Sequence, residues 1–119
     1  MQRITVVADV MAIRSCKDKH TAAFLAGERV RQFEAIAHQA AKAMAKLQSV
    51  TRLIELRNPP SNRFEALTGD RAGEYSIRIN DRWRVCFKWA FAEEPPQGID
   101  SLLVQGEPCD VEITDYHRG

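Results

Sequence analysis

The chain has 119 residues, which fits one domain that can bury a modest core without a metal or disulfide framework. Its three cysteines are widely spaced and form no CxxC pair, which argues against a disulfide scaffold and against a zinc site. No apolar run reaches the length of a membrane span, and the N-terminus lacks the pattern of a secretory signal. We therefore expect a cytoplasmic protein that makes no membrane contact.

The charge is unevenly distributed along the chain although the net charge is only +1. Through residue 90 there are 16 Lys and Arg against 9 Asp and Glu, and afterwards 1 against 7. A basic body followed by an acidic region is compatible with binding of a polyanion, and equally with ordinary solvation.

The first half of the chain predicts a strand and two helices. Residues 1–10 are interpreted as an N-terminal extension, because a strand at Ala12–Cys16 begins just after Met11, a second candidate initiator. A short helix should open near Asp18 or Thr21 and stop at Gly27. A longer helix is predicted from Glu28 to about Leu56, with an apolar stripe spaced three and four residues apart. That stripe, predicted to be core, consists of Val30, Phe33, Ala37, Ala40, Met44 and Leu47.

The second half predicts strands, because the two prolines of "NPPSN" cannot continue a helix. A short strand is expected at Phe64–Leu67, a hairpin at 74–89, and a further strand at Asp110–Thr114. Residues 91–108 form a long connection in which Leu102–Val104 either packs or adds a strand edge. The prediction is a single α+β domain over residues 1–119, with two N-terminal helices on one face of a mostly antiparallel sheet of four to five strands.

The register of the hairpin follows from the parity of its apolar residues, which occupy odd positions in both strands. A two-residue turn would place apolar positions opposite basic ones, so parity excludes it. A three-residue loop at 80–82 pairs Tyr75 with Phe87 and Ile77 with Val85. The same register sets Arg78 opposite Arg84 on the other face.

Two opposed arginines need a source of negative charge, because like charges in this position destabilise a sheet. Carboxylates on a neighbouring strand, such as Glu112, are one source. The phosphates of RNA are another, because arginine recognises phosphate through bidentate hydrogen bonds. The hairpin alone leaves both interpretations open.

The "DYH" sequence near the C-terminus combines three proton-transfer side chains, Asp115, Tyr116 and His117. Histidine is the usual acid–base group near neutral pH, although a histidine this close to a chain end is more often idle. The sequence has no His/Cys/Asp/Glu spacing typical of a metal site, no glycine-rich phosphate loop and no Ser-His-Asp arrangement, so no metal or cofactor is expected.

The segments "SCKDKHTAAFLAG", "NPPSNRFEALTGDRAGEYSIRINDRWRVCFKW" and "DVEITDYH" resemble the HigB toxins of the RelE/ParE superfamily of type II toxin–antitoxin modules. The resemblance implies helices packed on an antiparallel sheet and a cytoplasmic toxin that enters the A site of the 70S ribosome and cuts mRNA. It also implies a helix-turn-helix HigA-type antitoxin as partner, which alone mediates contact with operator DNA.

Transferred residue by residue, the resemblance implies catalytic roles for His117, Tyr116, Asp115 and Arg84. Some relatives carry a further histidine in the strand before "GDR", where this chain has Glu65, so Glu65 either takes over proton transfer or leaves the toxin weaker. RNA-binding roles are expected for the remaining cations near the site, which are Arg71, Arg78, Arg82, Lys88, Lys17 and Lys19.

Metal-independent RNA cleavage needs a base for the 2′-hydroxyl, an acid for the departing 5′-oxygen and cations for the phosphorane, and these residues supply all three. A second interpretation is a ParE-like toxin of the same fold that binds DNA gyrase without cutting RNA. A third is a decayed toxin that only binds its antitoxin.

Overall fold

A computed structural model describes residues 12–115 of the chain. Within that range, helix α1 spans Lys19–Leu25 and helix α2 spans Ala37–Ser49. Neither is long and apolar enough to cross a membrane. Short 3-10 turns occupy much of the remaining non-strand chain, at Arg31–Ile36, Leu53–Arg57, Pro60–Asn62, Gly69–Arg71 and Ser101–Leu103.

Helix α1 begins where the sequence predicts, just after Asp18, and ends at Leu25, two residues before the predicted stop at Gly27. The side chain of Asp18 caps it by accepting a hydrogen bond from the Thr21 backbone N–H at 3.1 Å. Shortly after the helix, Gly27 adopts a φ of 91°, a left-handed conformation that glycine takes without strain.

The prediction of one long helix from Glu28 to Leu56 is wrong at both ends. Val30 is extended, and the α-helix proper starts only at Ala37 after a 3-10 segment. At the other end Val50 is extended, with φ −99° and ψ 150°, so the helix stops ahead of the prolines. The β-branched pair Val50 and Thr51 weakens helix propensity there.

Four antiparallel strands form the sheet in the order β1-β2-β3-β4. Strand β1 is Glu65–Ala66, β2 is Tyr75–Arg78, β3 is Trp83–Phe91 and β4 is Gly106–Asp115. The predicted hairpin register is confirmed, because Tyr75 pairs with Phe87, and Arg78 with Arg84. Strands β3 and β4 both extend into the predicted long connection, and the undecided segment at 102–104 lies at a 3-10 turn.

The predicted first strand is reduced to one bridge. Cys16 pairs in parallel with Val111, and the Arg14 N–H donates to the Pro108 carbonyl at 2.8 Å. Opposite this segment, β4 carries a bulge at which its register against β3 shifts, with Asp110 at φ 49°. The Asp110 N–H donates to Ser15 Oγ at 2.9 Å, which ties the bulge to the start of the described chain.

The core lies between the helices and one face of the sheet. Most of the predicted helical stripe is buried there, together with Ala43, whereas Ala37 is only partly buried. The sheet contributes Ile77, Val85, Phe87, Val111 and Ile113 to the same cluster. The opposite face of the sheet is therefore the one that displays polar side chains.

Candidate functional site

One row of polar side chains crosses all four strands on the face away from the core. The register places Glu65 beside Ser76, Ser76 beside Cys86, and Cys86 beside Glu112. A second row runs through Arg78, Arg84 and Thr114. We call these two rows the polar face.

Arg84 is the most enclosed cation of the polar face, with only 8% of its surface exposed. Its Nε donates to Ser76 Oγ at 3.0 Å and its Nη2 donates to the Arg63 carbonyl at 2.5 Å. Glu65 Oε1 lies 3.7 Å from the same Nη2. A buried charge is costly unless it is paired and hydrogen-bonded, and these contacts meet that requirement.

The opposed guanidinium groups of Arg78 and Arg84 are neutralised by different carboxylates. Arg78 pairs with Asp81 at 2.7 Å, whereas Glu65 on strand β1 faces Arg84. The interpretation that Glu112 balances this pair is wrong, because Glu112 binds other cations. A neighbouring strand does supply one of the two carboxylates, as the sequence-based interpretation required.

Arg71 reaches across the polar face from the turn between β1 and β2. It donates to Glu74 at 2.8 Å and to Glu112, on the far strand β4, at 3.3 Å. Glu112 Oε1 also lies 3.7 Å from Lys17 Nζ. Burial works against the Arg71 cation, yet its pKa is raised because Cys86, Glu112 and Glu74 favour the charged form.

Cys86 and Ser76, at the centre of the polar face, are fully buried. Burial is the main cause that raises the pKa of the Cys86 thiol to about 11. The carboxylates of Glu112 and Glu74 raise this pKa further, and the Arg71 cation lowers it. At neutral pH the centre of the polar face is therefore an uncharged thiol surrounded by ion pairs.

The remaining predicted cations, Lys88, Arg82 and Lys19, are exposed. Lys88 is exposed and lies 3.8 Å from Asp110, and Arg82 pairs with Asp115. Lys19 is exposed at the start of α1, and no ion pair to it is found within residues 12–115. The structure thus gathers Arg71, Arg78, Arg84, Lys17 and Lys88 on one side of the sheet, whereas Arg82 pairs with Asp115 on the core side.

Asp115 does not lie on the polar face. It pairs with Trp83 at the end of β4, on the core side of the sheet, and is 9% exposed. It lines an open groove of about 500 Å³ with His20, Trp83 and Arg82. The other two residues predicted to transfer protons, Tyr116 and His117, lie outside the described residues.

Sequence reasoning missed the residues that hold Arg84 in place. Ser76 is an even-numbered residue, as are Arg78 and Arg84. The alternation of side chains along the strand therefore predicts that Ser76 lies on the polar face. The Arg63 carbonyl is presented from a left-handed residue at φ 48°, for which nothing in the sequence is diagnostic.

Residues 14–99 match the family model described as RelE-like toxin of type II toxin-antitoxin system HigB. The chain belongs to the HigB-like toxin family. It is 51% identical over 35 residues to Toxin HigB-1 of Vibrio cholerae serotype O1. That alignment covers 29% of this chain and 37% of the relative, so it spans little more than a third of the relative's own length.

The match to the HigB-like family includes strands β1 to β3 and ends before β4. Glu65, Arg71, Arg78 and Arg84 therefore fall inside the matched segment. Glu112 and Asp115 fall outside it.

Proposed function

We propose that this protein is a ribosome-dependent mRNA endonuclease that acts in the cytoplasm. Membership of the HigB-like toxin family supports the proposal. The observation that carries it is the contact between a buried arginine and a partly exposed carboxylate on the polar face, with Arg84 Nη2 3.7 Å from Glu65 Oε1. Such a pair can supply transition-state charge stabilisation and proton transfer at one phosphodiester.

The reaction proposed is attack of an RNA 2′-oxygen on the adjacent phosphorus, with departure of the 5′-oxygen. A base removes the 2′-hydroxyl proton, and an acid protonates the leaving oxygen. His117 transfers a proton, and Tyr116 or Glu65 assists. Asp115 lies on the core side of the sheet, so its proposed role is indirect and runs through its ion pair with Arg82.

Arg84 and Arg78 stabilise the charge that develops on the phosphorane. Arg84 suits this role because its hydrogen bonds to Ser76 and the Arg63 carbonyl fix the guanidinium before substrate arrives. A preorganised cation needs little reorganisation during the reaction. Arg78 is paired with Asp81, whose side chain is 94% exposed, so this contact is open to exchange with a phosphate.

The other cations extend the RNA-binding surface beyond the scissile bond. Lys17 and Lys88 are half-exposed and each lies more than 3.5 Å from its carboxylate partner, so RNA phosphates can compete for them. Arg71, Arg82 and Lys19 contribute further positive charge. We propose the 70S A site and its mRNA as the substrate complex, and a helix-turn-helix HigA-type antitoxin as the neutralising partner.

The test is induction of the protein with and without its neighbouring antitoxin, followed by mapping of mRNA 5′ ends. Wild-type protein should arrest growth and create new codon-aligned ends, and Glu65→Gln and His117→Gln should lose most of both. Glu107→Gln is the matched control, because it removes a carboxylate of strand β4 that belongs to neither row of the polar face and pairs with Arg14. Growth arrest without new 5′ ends would reject the nuclease.

A ParE-like toxin that binds gyrase is the second candidate. It is favoured by one observation, namely that Arg71, Arg78 and Arg84 already have carboxylate partners, which reduces the net charge offered to RNA. In that case His117→Gln would remain fully toxic, and purified gyrase would be retained by the immobilised protein.

A further inference from the structure

Two cations from distant parts of the chain converge on one carboxylate oxygen. Glu112 Oε1 lies 3.3 Å from Arg71 Nη2 and 3.7 Å from Lys17 Nζ. Arg71 comes from the turn before β2, and Lys17 from the segment before α1. The three side chains are 32%, 50% and 23% exposed for Arg71, Lys17 and Glu112, so solvent reaches the cluster.

An anionic oxygen between a guanidinium and an ammonium group is also how a phosphate oxygen binds to protein. Arginine and lysine use the same donors for carboxylate and for phosphate. The second arm of Arg71 stays bonded to Glu74 at 2.8 Å, so the guanidinium keeps its position when Glu112 moves away. The pair Arg71 and Lys17 is thus an anion site that an internal carboxylate fills.

We propose that Glu112 is an internal competitor for RNA: its carboxylate occupies the place of a backbone phosphate and must leave before RNA binds Arg71 and Lys17. This inference rests on the proposed function in taking RNA as the ligand. In this proposal Glu112 weakens RNA binding, whereas the cations of the same site strengthen it.

Competition of this kind lowers affinity without abolishing it. Partly exposed ion pairs are worth little in water, so phosphate displaces the carboxylate readily. Removal of the Glu112 charge should therefore tighten RNA binding by about fivefold. It should also make the affinity depend more steeply on salt, by about 0.7 in the logarithmic slope, because one more cation is available to a phosphate.

The experiment measures fluorescence anisotropy of a short fluorescein-labelled single-stranded RNA, titrated with full-length Glu112→Gln at several salt concentrations. Glutamine keeps an oxygen that accepts from Arg71, so the fold should persist, and thermal unfolding checks this. Glu112→Asp, which keeps the charge but shortens the side chain, is the second variant and should give an intermediate affinity. Glu107→Gln makes the same change in net charge on the same strand but releases only the more exposed Arg14, so it should tighten RNA binding less than Glu112→Gln does.

The double variant Lys17→Met/Glu112→Gln should lose most of the gain, because Lys17 is gone and Arg71 remains bonded to Glu74. Unchanged affinity of Glu112→Gln, an equal gain in Glu107→Gln, or a gain that survives Lys17→Met would overturn the proposal. The assay contains no ribosomes and detects no cleavage. If cellular mRNA is cut but the Glu112 charge has no effect on RNA binding, only this inference fails; tighter RNA binding without cellular cleavage rejects only the nuclease.

Discussion

The Arg84 guanidinium donates through Nε to Ser76 Oγ at 3.0 Å, on neighbouring strands and with both side chains buried. A hydroxyl in this position fixes the rotation of the guanidinium plane. The orientation of the proposed transition-state stabiliser thus depends on a residue that has no chemistry of its own in the reaction.

Ser76→Ala should lower the free energy of unfolding by about 1.5 to 3 kcal/mol, because it removes an acceptor from a buried charged donor. Urea denaturation is the measurement. Ser76→Thr, which keeps the hydroxyl, is the matched control and should lose less. Equal losses in the two variants would mean that volume, rather than the hydrogen bond, decides the effect.

The buried thiol of Cys86 predicts a loss of stability at alkaline pH. Its pKa is raised from 9.0 to about 11, so the folded state holds the proton more tightly than the unfolded chain. This contribution is fully present below about pH 9 and is lost as the pH rises towards 11. A pKa shift of this size corresponds to about 2 to 3 kcal/mol in the free energy of unfolding.

Cys86→Ala is the comparison, because it removes the titrating group. The difference in unfolding free energy between wild type and this variant should shrink as the pH rises from 9 to 11. A constant difference across that range would show that the thiol ionises equally in both states.

Thr21 connects helix α1 to strand β4, because its buried Oγ1 accepts from the Ile113 N–H at 3.0 Å. Thr21→Val preserves the shape but leaves that N–H without an acceptor, which should cost about 1 to 3 kcal/mol. Thermal or urea unfolding measures the loss. Thr21→Ser keeps the hydroxyl and should retain the protection of the Ile113 amide against hydrogen exchange; loss of protection there would contradict the assignment.

Gly106 has no room for a side chain. A Cβ at this position would lie 2.4 Å from Trp89 Nε1 and 2.5 Å from the Ala90 carbonyl oxygen. Gly106→Ala should therefore destabilise the protein by about 1 to 3 kcal/mol through overpacking of the β3–β4 pair. Gln105→Ala, at the exposed neighbouring position, should stay within about 0.5 kcal/mol of the wild type in the same denaturation assay.

The pairing of β2 with β3 could be predicted because side-chain parity is a strict constraint: a slip of one residue would send Val85 and Phe87 to the wrong face. The two ends of helix α2, by contrast, could not be predicted from the sequence. Its apolar stripe continues through 3-10 turns on both sides, because Phe33 and Leu53 face the same core from non-α backbone. Periodicity therefore located the buried residues better than it located the helix ends.

The partners of the cations were beyond sequence reasoning for a different reason. Arg71 reaches Glu112 across the width of the sheet, and Glu65 approaches Arg84 from a strand of only two residues. Such contacts depend on the reach of long side chains and on loop geometry, which no periodic pattern encodes. Strand parity did place Arg84 on the polar face, but not the degree of its burial.

The bulge at Asp110 has a consequence for how this protein tolerates change. Strand β4 contains one extra residue at the bulge. The side chains before the bulge and those after it therefore alternate between the two faces of the sheet independently of each other. Ser15 anchors the second half directly. A change of register in the half of β4 before the bulge therefore leaves Glu112 on the side of the sheet that it occupies now.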